Sequence, residues 1–155
     1  MASQSHLDGA VTEHLGGSGG GTVDVVRMYT GQEGTTCFED VALSLDPDGI
    51  GWTSGALPGA GFEFRIVRPG GPGGFHTAAR RQFVVVLSGV MVIEGGGGET
   101  RRLLPGAVLF AEDTVGAGHR TDNEGATRHI LIVPVAPEFV LDEYRVGERS
   151  GRTPG

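Results

Sequence analysis

The sequence predicts an all-β domain, a sandwich or closed barrel built from short strands. Three observations carry that expectation. Apolar and polar residues alternate over short runs: in Gly61–Arg68, Phe62, Phe64 and Ile66 share one face, and Glu63, Arg65 and Val67 share the other. Glycine and proline, 29 and 8 of the 155 residues, break the chain at short intervals. Only Pro137–Tyr144 has a pattern that suits a short helix.

In chain order, Val23–Tyr29 and Thr35–Leu45 are rich in strand formers, and the second ends at the turn Asp46–Gly49. The alternating Gly61–Arg68 run stops at the breaker Pro69–Gly74. Phe75–Ala79 and Gln82–Leu87 follow, ending at Ser88 and Gly89. Val90–Glu94 and Glu99–Leu104 flank the glycines 95 to 98 as a strand pair. Pro105 and Gly106 turn the chain into Ala107–Asp113. A last pair, Gly118–Thr121 and Arg128–Val135, is joined by the turn Asp122–Gly125. Residues 1–21 are polar and end in a glycine-serine run, so a disordered tail carrying His6 and His14 is expected there. The domain is expected over residues 22–146, with a flexible tail over 147–155.

Composition removes several function classes. The longest apolar run, Phe83–Leu87, is far shorter than the roughly 18 residues of a membrane helix. A net charge of −7 argues against nucleic acid or an anionic membrane as the main partner. Cys37 is the only cysteine, so neither an internal disulfide nor a cysteine-rich zinc site is available. All twelve basic residues are arginine, which excludes lysine Schiff-base chemistry and a P-loop. Pro69–Gly74 and the glycines 95 to 98 are turns rather than phosphate loops, because no helix with a lysine follows. The N-terminus lacks the basic start and apolar stretch of a secretory signal, so the expected location is the cytoplasm.

Three histidines, His76, His119 and His129, lie in the strand region. Their surroundings resemble the two motifs of the cupin superfamily over about Gly61–Val135. Gly70, His76 and Gly89 fall on the first motif without a gap, while Ala78 replaces its second histidine and Gln82 its glutamate. Gly106 opens the second motif. Glu112 stands where proline is expected, two extra residues precede His119, and Asn123 closes it. The resemblance implies a cupin-type double-stranded β-helix, a small jelly-roll barrel. It also implies a dimer, with Val23–Tyr29 and Thr35–Leu45 as the contributing strands; pairing would cover exposed sheet edges.

In metal-binding members of that family, three histidines and a glutamate hold a metal inside the barrel. Carried over residue by residue, only His76 and His119 remain as ligands, with Gln82 offering a neutral amide oxygen. Three readings of this set stand open. One is a weakly held divalent metal (Zn, Fe, Ni or Mn) on His76, His119 and Gln82, serving an oxygenase. Another is metal-free acid–base chemistry by His119 and His76, with Gln82 polarising a carbonyl: an isomerase, cyclase, dehydratase or decarboxylase of secondary metabolism. The third is a non-catalytic barrel that binds a ligand. The two imidazoles without their charged partner favour the second reading.

The substrate expected is a small organic molecule in a largely apolar pocket lined by Val84, Val86, Leu109 and Ala111, with Trp52 as further aromatic surface. Either Arg65 or Phe64 faces the cavity, and the register is open: Arg65 inward favours an anionic substrate, Phe64 an apolar one. Glu112, or Asp113 beside it, could orient an imidazole through its other ring nitrogen. Arg80 and Arg81 sit in the turn before Gln82, within reach of a cavity mouth. His129 is expected at the barrel rim.

Overall fold

The computed structural model describes residues 11–14, 21–71 and 73–147; His6 lies outside them. Among the described residues twelve strands carry the fold: β1 Val11–His14, β2 Thr22–Thr30, β3 Thr36–Ser44, β4 Asp46–Pro47, β5 Trp52–Thr53, β6 Glu63–Val67, β7 Gln82–Ser88, β8 Met91–Glu94, β9 Thr100–Leu103, β10 Val108–Ala111, β11 Arg120–Asp122 and β12 Arg128–Pro134. A four-stranded sheet runs β1-β9-β8-β11, and a six-stranded sheet runs β3-β2-β10-β7-β12-β6. The chain is thus an all-β, two-sheet barrel, as the sequence predicts. The expected helix is reduced to a single 3-10 turn, Leu141–Tyr144. Among the described residues no helix is long and apolar enough to cross a membrane.

Period-two alternation explains why the sheets face each other. In β10, Leu109 and Ala111 point into the barrel and join Val26, Met28, Val84 and Ile130 in the main core. Phe110, between them, points to the opposite face and is fully buried there. That second face is covered by the C-terminal segment. The ring of Phe139 lies 5.5 Å from Phe110 and 5.6 Å from Phe83, and stacks on Tyr144 at 5.4 Å. The six-stranded sheet is therefore buried on both faces where β2, β10 and β7 meet, which accounts for the continuous apolar run of β7.

Two motif residues have structural work. Gly89 has φ +76°, and a β-carbon there would lie 2.6 Å from the Thr127 carbonyl oxygen. It lets the β7–β8 turn pass against the start of β12. Asn123, 5% exposed, donates from Nδ2 to the carbonyls of Val67 and Arg68, both at 3.0 Å. It fastens the end of β6 to the β11–β12 turn.

Val11–His14, within the stretch expected to be a tail, forms β1, parallel to β9, with Val11 opposite Thr100. Its sequence is too polar to announce a strand; the free edge of β9 supplies the ladder. Of the two strands expected to meet a second copy, β2 lies inside its sheet between β3 and β10. Its backbone groups are already paired. The edge strand β3 is itself partly covered, since Val146 donates its backbone N–H to Ala42 at 3.0 Å.

Arginine–carboxylate pairs tie the C-terminus to the sheet. Arg145 donates to both carboxylate oxygens of Glu39 at 2.7 and 2.9 Å, and Arg27 adds a third bond at 3.0 Å. The Arg145 bonds, with Arg27 behind them, hold the Glu39 carboxyl down at about 2, well below its ordinary 4.5. Because the folded value is depressed, the stability it contributes is present above about pH 4.5 and is lost as pH falls toward 2. Glu39→Gln should flatten the fall of the urea midpoint across that window; an unchanged pH profile would contradict this role.

Candidate functional site

The two motif histidines come from segments far apart in sequence and meet through their backbones. His76 donates its N–H to His119 O at 2.8 Å, and His119 donates to His76 O at 2.9 Å, an isolated antiparallel bridge. Gly118 makes the approach possible. Its φ is +76°, and a β-carbon there would collide with the His76 carbonyl and the Thr77 amide. A further bond from Ala78 N to Asp113 O, 3.1 Å, holds the other end of this junction. The rings of His76 and His119 consequently lie 4.7 Å apart, centroid to centroid.

Behind His119 stands a buried relay. His119 Nδ1 lies 2.6 Å from Asp113 Oδ2, and the same oxygen accepts the Thr36 hydroxyl at 2.8 Å. Asp113 has no exposed surface, Thr36 retains 1% and His119 5%. Asp113 Oδ1 is buried without a hydrogen-bond partner, so the carboxylate directs its charge through Oδ2. A carboxylate accepting at Nδ1 fixes the proton on that nitrogen and leaves Nε2 with its lone pair in the neutral ring. His76 is arranged alike: its Nδ1 lies 3.0 Å from the carbonyl oxygen of Gly74, which can only accept. His76 is exposed at the mouth while His119 is buried.

Both rings open on a chamber of about 210 Å³ inside the barrel, walled by Val84, Leu109, Ile130 and Ile132 together with Gln82, Arg65 and Arg128. Gln82 is within the site, and its Oε1 accepts from Arg80 Nε at 3.3 Å. That contact turns the amide N–H groups into the groups left for a ligand. The register left open by the sequence is resolved in favour of Arg65. It lines the chamber mouth, its guanidinium held by Glu63, while Phe64 points outward at 69% exposed and packs edge-on against Phe62.

Several expected positions are corrected. Trp52 sits in β5, paired with Pro47 and 57% exposed; it is not part of the chamber. Val86 is buried in the core cluster and does not line the chamber wall. Glu112 does not reach His119. Its carboxylate meets Arg27 at 2.5 Å and Arg81 at 3.4 Å, and its neighbour Asp113 takes the place on the imidazole. Strand parity is the physical reason: Asp113 shares the inward parity of Leu109 and Ala111, and Glu112 does not. Arg81 spans Glu112 and the Phe139 carbonyl, so it braces the C-terminal segment. His129 is exposed at the rim, with Nδ1 2.7 Å from the Ser88 hydroxyl. Sequence reasoning missed Thr36, Gly118 and Arg128. Arg128 alone carried a signal, its parity with Ile130 and Ile132.

No protein-family model matches the chain, and no curated protein matches it. Solved structures similar to it include a cupin domain from Bordetella pertussis, 20% identical over 52% of this chain and 97% of that one, with a TM-score of 0.36. A protein from Neisseria meningitidis is 20% identical over 49% of this chain and 75% of that one, with a TM-score of 0.40. A protein of unknown function from Streptococcus pyogenes is 23% identical over 50% of this chain, with a TM-score of 0.40; the chain spans 65% of its length.

The relay generates a direct prediction. In wild-type protein, ¹⁵N chemical shifts should show neutral His119 with its proton on Nδ1. Asp113→Asn should lose that bias and produce a mixture of ring tautomers, because an amide can present either a donor or an acceptor. A ring that stays protonated on Nδ1 in the variant would show that Asp113 does not set the tautomer.

Proposed function

We propose that the chamber is an enzyme active site for non-oxidative proton transfer on a small organic molecule, with His119 as the general acid–base group. The observation that supports it above others is the 2.6 Å contact from buried Asp113 to His119 Nδ1. A histidine that served packing alone would not need a fixed tautomer and an unblocked second nitrogen. Here the carboxylate stabilises the ring when it gains a proton at Nε2 and keeps it oriented when it loses one.

The chain's own groups suffice for such a step. His119 Nε2 takes a proton from a carbon next to a substrate carbonyl. The carbonyl oxygen, gaining electron density, accepts a hydrogen bond from the Gln82 amide N–H. The proton returns from His119 Nε2 to a different atom of the substrate, which leaves the ring neutral again. Isomerisation, cyclisation and dehydration next to a carbonyl can start with this proton loss; decarboxylation instead releases CO2 and needs a proton delivered to the resulting enolate, stabilised by the same Gln82 contact. The apolar walls exclude bulk water and strengthen each of these interactions.

A resident Zn, Fe, Ni or Mn fits this donor set poorly. The chamber offers two imidazole nitrogens, and the Gln82 oxygen is engaged by Arg80. Asp113 is spent on the far nitrogen of His119, and the same wall carries the guanidinium groups of Arg65 and Arg128. A divalent ion would therefore meet positive charge with no carboxylate facing it. Among the described residues, no group of three His, Cys, Asp or Glu side chains is placed to hold a metal ion.

The test is solvent-deuterium exchange. Small carbonyl compounds such as pyruvate and acetylacetone, incubated with the protein in heavy water, should gain deuterium next to the carbonyl faster than in buffer. His119→Gln should lower the enzyme-dependent rate by about 10²–10⁴-fold, and His76→Gln by less. Equal exchange in wild type and His119→Gln, with both folded, would overturn the catalytic reading and favour simple ligand binding.

A further inference from the structure

Arg128 opens β12 on the strand's inward face, in the same parity as Ile130 and Ile132. It is 3% exposed and lines the chamber that holds His76 and His119. Its hydrogen bonding is thin. Nη1 reaches the backbone carbonyl of Asp122 at 3.3 Å, and Nε is buried with no partner. No carboxylate among the described residues lies within ion-pair distance of it.

That makes it the exception among its kind. Arg27, Arg81, Arg101, Arg102, Arg120 and Arg145 are all shielded from solvent in part or in full, and each has a carboxylate partner. Arg128 is more buried than any of them and has none. Burial pushes its guanidinium below its ordinary value, an effect only partly offset by the charge of Asp122. A cation held out of water without a counter-charge is costly, so a fold that keeps one gains from an anion brought by a ligand.

We infer that the ligand of this chamber is a small monocarboxylate whose carboxylate docks on Arg128, its remaining atoms lying against the apolar wall beneath His119 and His76. The guanidinium edge offers the planar pair of donors that a carboxylate matches. At about 210 Å³ the chamber holds the volume of about seven waters, which limits the ligand to a small acid. Arg65 at the mouth, already engaged with Glu63, contributes field rather than a second clamp. The inference deepens the proposed function in that it assumes the chamber takes a ligand. It does not require His119 to be catalytic.

Binding, read by NMR titration of the full-length protein, tests it with benzoate, pyruvate and acetate, the neutral isostere benzamide, and inorganic phosphate. Benzoate should bind roughly tenfold or more tightly than benzamide, and each carboxylate should shift the Arg128 Nε–H resonance. Arg128→Met should remove the preference for benzoate over benzamide while its melting temperature stays level or rises, because a buried unpaired charge is gone. Arg65→Gln should preserve that preference. The preference for benzoate over benzamide should persist in His119→Gln whatever its absolute affinity, so a failure of the catalytic reading leaves this result standing. Equal binding of benzoate and benzamide to wild type, no saturable binding of any of the three carboxylates, or phosphate binding more tightly than all of them would overturn the inference.

Discussion

The chamber exists because the backbones of His76 and His119 are hydrogen-bonded to each other. That bridge joins the segment before β7 to the segment before β11, and it works only because Gly118 has no β-carbon to strike the opposing strand. Once the bridge is formed, two rings share one mouth, Asp113 is carried behind one of them, and the inward faces of β7, β10 and β12 close the wall. The surrounding barrel adds burial. It turns an ordinary carboxylate–imidazole contact into one shielded from water, where it is electrostatically stronger.

Charge is arranged in two layers around this point. Outside the chamber, arginines pair with carboxylates in short networks, such as Arg27 between Glu112 and Glu39, and Arg145 between Glu39 and Asp142. These pairs fasten the C-terminal segment over the outer face of the six-stranded sheet. Inside, Arg128 is buried with no carboxylate within ion-pair distance among the described residues, while His119 has Asp113 and Arg65 has Glu63. A protein with a net charge of −7 thus keeps one buried guanidinium, Arg128, without an ion-pair partner among the described residues. On the proposed reading, an anion docked on Arg128 lies beside His119, whose carboxylate partner Asp113 stands on the far side of the ring.

Much of the fold was legible because strands announce themselves by parity. The alternation in Gly61–Arg68 separated Arg65 from Phe64, although it could not say which side was the core. Parity also held an unused answer for the acid behind His119: Leu109, Ala111 and Asp113 share a face, and Glu112 does not. Other features left no local trace. β1 is polar and finds its place only because β9 offers an edge. Thr36 reaches Asp113 from a position 77 residues away in the chain, a contact set by how β3 folds over the core. Trp52 carried apolar surface but belongs to a two-residue strand outside the barrel, where its composition says nothing of its address.

The claim beneath all of this is that the two rings lie side by side and open on one interior space. Nuclear Overhauser contacts between the ring protons of His76 and His119 measure it most directly. A centroid separation of 4.7 Å predicts clear cross-peaks between the two imidazoles. Their absence, with both rings assigned and the protein folded, would place the histidines in separate environments and contradict the account.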